Sequence, residues 1–257
     1  MTTRALDVAD LEERVRQVYR DVAIDPDQGF HFETGRALAE RLGYPPDELD
    51  AVPAEAVRSY AGVGYFLDLA AIRPGETVVD LGSGSGTDSL IAARQVGPTG
   101  RVIGVDMTEE QLDKATGLAT EAGLGLVEFR RGHIERLPVA DSSADVVISN
   151  GVINLSPDKP AVFAEAARVL RRGGRLALAD IVTNSRLPEG VTCDASLWAA
   201  CIGGAAQADD YCDMITRVGF AIATVRDNDQ YRFLSDSAVN ATTKWGVKSI
   251  TILARRS

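Results

Sequence analysis

Cysteine is scarce and unevenly placed. The chain has three, Cys193, Cys201 and Cys212, and the first 192 residues contain none. An odd set confined to the last third is not a disulfide framework, so reduced thiols are expected, with a thiolate site or plain buried cysteines as the two uses left open. Long apolar runs are also missing. No segment approaches a bilayer span, and the amino terminus MTTRALDVADLEERV carries carboxylates where a signal peptide needs an apolar stretch, so no membrane association and a cytoplasmic location are expected. Positive charge is short as well: Lys plus Arg number 27 against 37 Asp plus Glu, a net charge of −10, with no basic block. That balance speaks against nucleic acid as a partner. What is present suffices for a core: 45% hydrophobic and 25% charged residues over 257 positions describe a globular chain, not a disordered or fibrous one.

Periodicity divides the chain near residue 74. Before it, LEERVRQVYRDVAI aligns Leu11, Val15, Val18 and Val22 on one stripe, and ETGRALAERLGY does the same with Leu38 and Leu42. Residues 1–73 therefore read as a helical cap, interrupted where YPPDELDAVP breaks the helical pattern with its prolines. Beyond it, TVVDLG, RVIGVD, LVEFRRG, ADVVISN and GRLALADIV are strand candidates, and TDSLIAARQ, TEEQLDKATGLATEA and KPAVFAEAARVLR are helix candidates. Alternation at this spacing predicts βαβ crossovers and an α/β, doubly wound, mostly parallel sheet over 74–257. SLWAACIGGAA and ADDYCDMITRVGF read as helices, and FAIATVRD and VKSITILARR as edge strands.

In such sheets ligands bind at the carboxyl ends of the strands, where the first strand runs into Asp80-Leu81-Gly82-Ser83-Gly84-Ser85-Gly86-Thr87. Glycines let backbone approach a ligand closely. Thr87 stands where a dinucleotide fingerprint needs Gly, and no Gly-Lys-Ser/Thr follows for a triphosphate. Asp80 would repel a pyrophosphate but suits a ligand carrying positive charge. Asp106, one βα unit later, is placed to accept both hydroxyls of a ribose.

VVDLGSGSGTD, VIGVDMT, GHIERLPVAD, ADVVISNGVINLSPDK and VLRRGGRLALAD together resemble class I S-adenosylmethionine-dependent methyltransferases, over roughly residues 55 to 256. SPDK, PVAD, WAACIGGAA and VKSITILARR are similar to the arsenite methyltransferase branch. The resemblance implies a seven-stranded Rossmann-like sheet and S-adenosyl-L-methionine as cofactor. It implies that Asp80, Gly82, Ser83 and Gly84 line the cofactor's methionine part, with Asn150 beside that end. Asp106 would hold the ribose, Met107 would lie against adenine, and His133, Ile134 and Glu135 would border it.

The branch carries cysteines after the fourth strand, in a C-terminal helix and near the amino terminus. Cys201 matches the helix position, but Gly151 stands at the strand position and the amino-terminal ones are missing. Trivalent arsenic is soft and calls for several sulfur ligands. The reading adopted is therefore a methyltransferase for a small organic molecule, with arsenite methylation, or a cofactor-binding protein with a different role, as alternatives. Gly151 would leave room for the acceptor, with Cys201 nearby, and Tyr60, Tyr65, Phe66 and Trp198 would supply aromatic lining or else pack the cap onto the sheet. No metal site is expected, and the sequence identifies neither a catalytic base, His31 being one candidate, nor the oligomeric state.

Overall fold

The computed structural model describes residues 6–194, 197–198, 202–234 and 236–257, with only the backbone given at 236–238. Among the described residues, five helices form the amino-terminal part: α1 (Val8–Ile24), α2 (Arg36–Leu42), α3 (Pro46–Asp50), α4 (Ala54–Arg58) and α5 (Leu67–Ala70). Asp7 caps α1, its carboxylate accepting from the N–H of Asp10 at 3.1 Å. The expected break at YPPDELDAVP contains α3, because Pro46 occupies the first helical turn, where its missing N–H leaves no bond unmade.

The core follows as β1 (Thr77–Leu81), α6 (Thr87–Val96), β2 (Arg101–Asp106), α7 (Glu109–Glu121), β3 (Val127–Arg131), β4 (Ala144–Asn150), α8 (Lys159–Val169) and β5 (Leu170–Thr183). Then come α9 (Glu189–Thr192), β6 (Ala206–Gln207), α10 (Ala208–Arg217), β7 (Phe220–Asp227), α11 (Asp236–Trp245) and β8 (Lys248–Arg256). The sheet order is β3-β2-β1-β4-β5-β8-β7, with β6 paired to the end of β5. Seven strands thus share one path, and the two-residue β6 is a small addition. Strands β1 to β5 run parallel, while β8 lies antiparallel between β5 and β7; of the two strands read from FAIATVRD and VKSITILARR, β7 is at the sheet edge and β8 is one place inside it.

Alternate strand residues feed two apolar layers. Val78, Val102, Val146 and Ile148 point into one with Leu11, Leu38, Tyr44, Phe66 and Leu90, and Val79, Leu81, Val105 and Val147 into the other with Phe163, Tyr211 and Ile215. Both faces of the central strands are therefore covered, as uninterrupted β-branched runs predict. The amino-terminal helices and one sheet face share a single hydrophobic cluster.

One helix expectation is corrected. Of SLWAACIGGAA, Leu197 and Trp198 are helical, but Ile202–Ala205 form a bend and Ala206 enters β6. A Cβ at Gly204 would sit 1.9 Å from the Asn154 carbonyl, and one at Gly203 2.3 Å from the Trp198 ring, so the glycines serve close backbone packing. Among the described residues no helix is long and apolar enough to cross a membrane.

Candidate active site

Strands β1 and β4 are neighbours, but the chain leaves them in opposite directions along the sheet, which opens a crevice at their carboxyl ends. The turn after β1 folds back on β2: the N–H groups of Gly82 and Ser83 donate to the Val105 carbonyl at 2.8 and 3.1 Å. Gly82 has φ +69°, and a Cβ there would meet Val152 at 2.7 Å, so glycine is required on both counts. At the end of β2, Asp106 accepts from Gly84 N–H at 3.0 Å and Thr108 N–H at 2.8 Å. Its two oxygens are thereby fixed, each with a lone pair left for a ligand hydroxyl.

The crevice encloses about 1040 Å³ between its walls, its open mouth included. The sequence-derived residues Gly82, Ser83, Gly84, Asp106, Met107, Ile134, Glu135, Asn150 and Gly151 all line it, as does His133. Helix α1 closes one side with Glu12, Val15 and Tyr19, and is tied down by Gln111 Nε2 donating to the Tyr19 carbonyl at 2.7 Å and by Lys114 Nζ donating to that of Ala23 at 3.0 Å. Ser83 Oγ is buried and has no protein partner, a polar atom left for a ligand.

Several expectations are not met. Asp80 is 2% exposed, accepts from Ser89 Oγ at 2.6 Å and is absent from the lining. The carboxylate facing the crevice from this region is Asp88, in the first turn of α6. Asp88 accepts from Tyr44 OH at 2.5 Å and Asn150 Nδ2 at 3.1 Å. Burial pushes it up to about 6, against the pull of those two donors; burial and then the Asp88 charge push Asp80 up to about 8. Asn150 also lies 3.1 Å from Tyr60 OH and from the Gly64 carbonyl, and its Oδ1 accepts from Val63 N–H at 2.8 Å. Its amide thus joins the sheet to the cap.

Tyr65, Phe66 and Trp198 do not line the crevice. Tyr65 donates to Glu48, Phe66 is fully buried between cap and sheet, and Trp198 lies over Lys159 Nζ at 4.8 Å, so the packing alternative holds for these aromatics. Tyr60 alone of the group reaches the lining. Gly151 does not open space: it has φ +71°, and a Cβ there would already lie 3.1 Å from Val63 Cγ1. Cys201 lies outside the described residues, while Cys193 and Cys212 are away from the lining. His31 packs edge-on against Phe32 and also lies outside it. Among the described residues no cluster of three or more His, Cys, Asp or Glu could hold a metal ion.

Sequence reasoning missed Glu12, Tyr19, Asp88 and Gln111. Asp88 had a usable signal, an acid in the first turn of a helix that opens from a glycine turn. Tyr19 had a weaker one, its place with Glu12 and Val15 on one face of α1.

Residues 72–219 match the model of a methyltransferase domain family. The chain is 43% identical over 225 residues to the arsenite methyltransferase of Halobacterium salinarum, covering 87% of this chain and 57% of that protein. It is 40% identical over 140 residues to the nocamycin O-methyltransferase of Saccharothrix syringae, covering 54% of this chain and 49% of that one. Among solved structures it is similar to an arsenic(III) S-adenosylmethionine methyltransferase from Chlamydomonas reinhardtii, with a TM-score of 0.63 and 31% identity over 86% of this chain and 73% of the other. The chain spans little more than half the length of the arsenite methyltransferases of Halobacterium salinarum and Aquipseudomonas alcaligenes. It belongs to the methyltransferase domain family, as a class I S-adenosylmethionine-dependent member beside the arsenite methyltransferases.

Proposed function

We propose that the protein transfers a methyl group from S-adenosylmethionine to a small organic acceptor, and that arsenite is not its substrate. The observation that carries this reading is the contact between Val63 and Gly151. Where the arsenite branch is expected to place a thiol, the backbone is left-handed and Val63 of the cap fills the space a side chain would take. The missing sulfur is thus accompanied by a packed apolar wall, and the described lining offers no thiol. A soft trivalent ion has no chelating set there. The arsenite alternative draws its support from the 43% identical relative.

The residues fit the cofactor. The turn Gly82–Ser85 and the free Ser83 Oγ would receive its methionine part, Asp106 its ribose hydroxyls, and Met107 and Ile134 the faces of adenine. Asp88, held by Tyr44 and Asn150, supplies negative charge on the side of the cationic end. When bound, S-adenosylmethionine supplies an activated methyl on sulfur for in-line displacement, a reaction that alignment and exclusion of water can promote without protonation of the leaving group. Residues 1–73 act as the cap and 74–257 as the cofactor-binding core. Helix α1 covers the crevice with Glu12, Val15 and Tyr19, which keeps water from the reacting end. The cytoplasm is the proposed compartment, where thiols such as those of Cys193 and Cys212 stay reduced.

Calorimetry with S-adenosylhomocysteine and with a nicotinamide dinucleotide tests the cofactor assignment. Binding of the first and not the second is expected, and the reverse would overturn it. Transfer of labelled methyl to an organic acceptor panel and to arsenite under reducing conditions tests the substrate.

A further inference from the structure

The charges around the crevice are one-sided. Glu12, Asp88, Asp106 and Glu135 line it, and among the described residues the lining includes no Lys or Arg; His133 is its one imidazole. Three basic groups beside lining residues, Lys159, Lys114 and Arg20, are turned to other partners. Lys159, 6% exposed, donates to the carbonyls of Asn154 at 3.0 Å and Ser156 at 2.9 Å beneath the turn that carries Leu155 and Ser156 into the wall. Lys114 donates to the Ala23 carbonyl at 3.0 Å and Ser59 Oγ at 2.8 Å, and Arg20 pairs with Glu110 at 3.1 Å. No cation is left to receive an anionic ligand group among these residues.

Two of the four carboxylates are accounted for by the cofactor assignment, Asp106 by the ribose and Asp88 by the cationic end. Glu12 on α1 remains, and Glu135, which the resemblance sets at the adenine border, accepts from Ser156 Oγ and adds its charge to the same crevice. The lining also includes Ala61, Gly62, Gly151, Val152, Leu155 and Pro157, which offer apolar surface and backbone beside the polar Tyr60, Asn150 and Ser156. A charge taken from water into such a wall without a partner is costly, and a negative one is further opposed by Glu12, Glu135 and the chain's net charge of −10.

Resting on the methyltransferase reading, we infer that the acceptor is an apolar molecule without negative charge, neutral or cationic, and that carboxylate or phosphate-bearing molecules are excluded by Glu12 and Glu135. The apolar wall receives its body, and the one-sided negative charge of the crevice tolerates a hydroxyl or an ammonium on it. This selection by repulsion needs no residue dedicated to one substrate.

The test uses the full chain saturated with S-adenosylhomocysteine and a panel of size-matched probes that differ in charge, such as benzylamine, benzyl alcohol and benzoate and their larger homologues. Occupancy of the wall is read from shifts of the Val152 and Leu155 methyl resonances. Neutral and cationic members should perturb these signals, with anionic members at least tenfold weaker, and Glu12→Gln with Glu135→Gln should narrow that gap. Anions binding as well as their neutral partners, or no neutral or cationic member perturbing these methyls, would overturn the inference. Failure of S-adenosylhomocysteine itself to bind would instead overturn the cofactor assignment on which it rests.

Discussion

Val63 and Gly151 meet across the junction of cap and sheet, so that a Cβ at position 151 would lie 3.1 Å from Val63 Cγ1. The Val63 backbone is itself fixed, its N–H donating to Asn150 Oδ1 at 2.8 Å and its carbonyl accepting from Ser249 Oγ at 2.7 Å. Neither partner can easily retreat. Gly151→Cys should therefore destabilise the protein by about 1–3 kcal/mol, through the left-handed φ and the crowded contact. Adding Val63→Ala should relieve the contact and leave the backbone strain, which a double-mutant cycle in denaturant separates. A fully stable Gly151→Cys protein would show that the wall yields.

Asp106 organises the turn and is the proposed acceptor of the ribose hydroxyls. Asp106→Ala removes the acceptor of the Gly84 and Thr108 N–H groups together with the proposed ribose contact. S-adenosylhomocysteine affinity should fall by about 1–3 kcal/mol in calorimetry. Unchanged affinity in a folded variant would mean that the ribose lies elsewhere.

Burial of Asp80 makes stability depend on pH in the opposite sense to an ion-paired carboxylate. Its ordinary value is 3.8, and in the folded chain it is pushed up to about 8. Between those values the folded state holds a proton that the unfolded state has released, so the contribution is complete at low pH and is lost as pH rises through about 8. Asp88 and Asp180, each pushed up to about 6 by burial, act in the same direction over a lower range. Lys159, lowered to about 8 by burial, acts with the opposite slope and only above that pH. The melting temperature of the ligand-free protein should rise as pH falls from about 8 to about 6. Asp80→Asn should flatten this dependence, and an unchanged slope would contradict the assignment.

Tyr44 reaches 44 positions along the chain to donate to Asp88 at 2.5 Å. Tyr44→Phe keeps the ring packed against Tyr60 and Tyr65 and removes that donor together with an acceptor of Asn150 Nδ2 at 3.1 Å. A cost of about 1–3 kcal/mol in denaturant is expected, since a buried carboxylate loses a partner. A neutral effect would show that Asn150 alone satisfies Asp88.

Local pattern made much of the fold legible. Val78–Val79, Val102–Ile103 and Val146–Ile148 are β-branched runs between amphipathic helices, and nothing else accounts for them as well as a parallel sheet. The lining residues Gly82, Ser83, Gly84, Asp106 and Met107 were legible for the same reason, since the crevice must form where β1 and β2 end. What could not be read depends on distance in sequence. Whether Asp80 or Asp88 faces the crevice is decided by Ser89 and Tyr44, and whether Gly151 opens room is decided by Val63. The helical reading of Ile202–Gly204 failed because Trp198 and Asn154 occupy the volume that helix side chains would need.

The most direct measurement of the central claim is labelled methyl transfer from S-adenosylmethionine to arsenite in the presence of a reduced thiol, made on the native chain and on Cys201→Ser with binding of S-adenosylhomocysteine as the control. The account predicts that both proteins bind S-adenosylhomocysteine and that neither methylates arsenite above the protein-free background. Efficient arsenite methylation by the native chain, abolished in Cys201→Ser, would contradict it and return Cys201 to the acceptor site as a sulfur ligand.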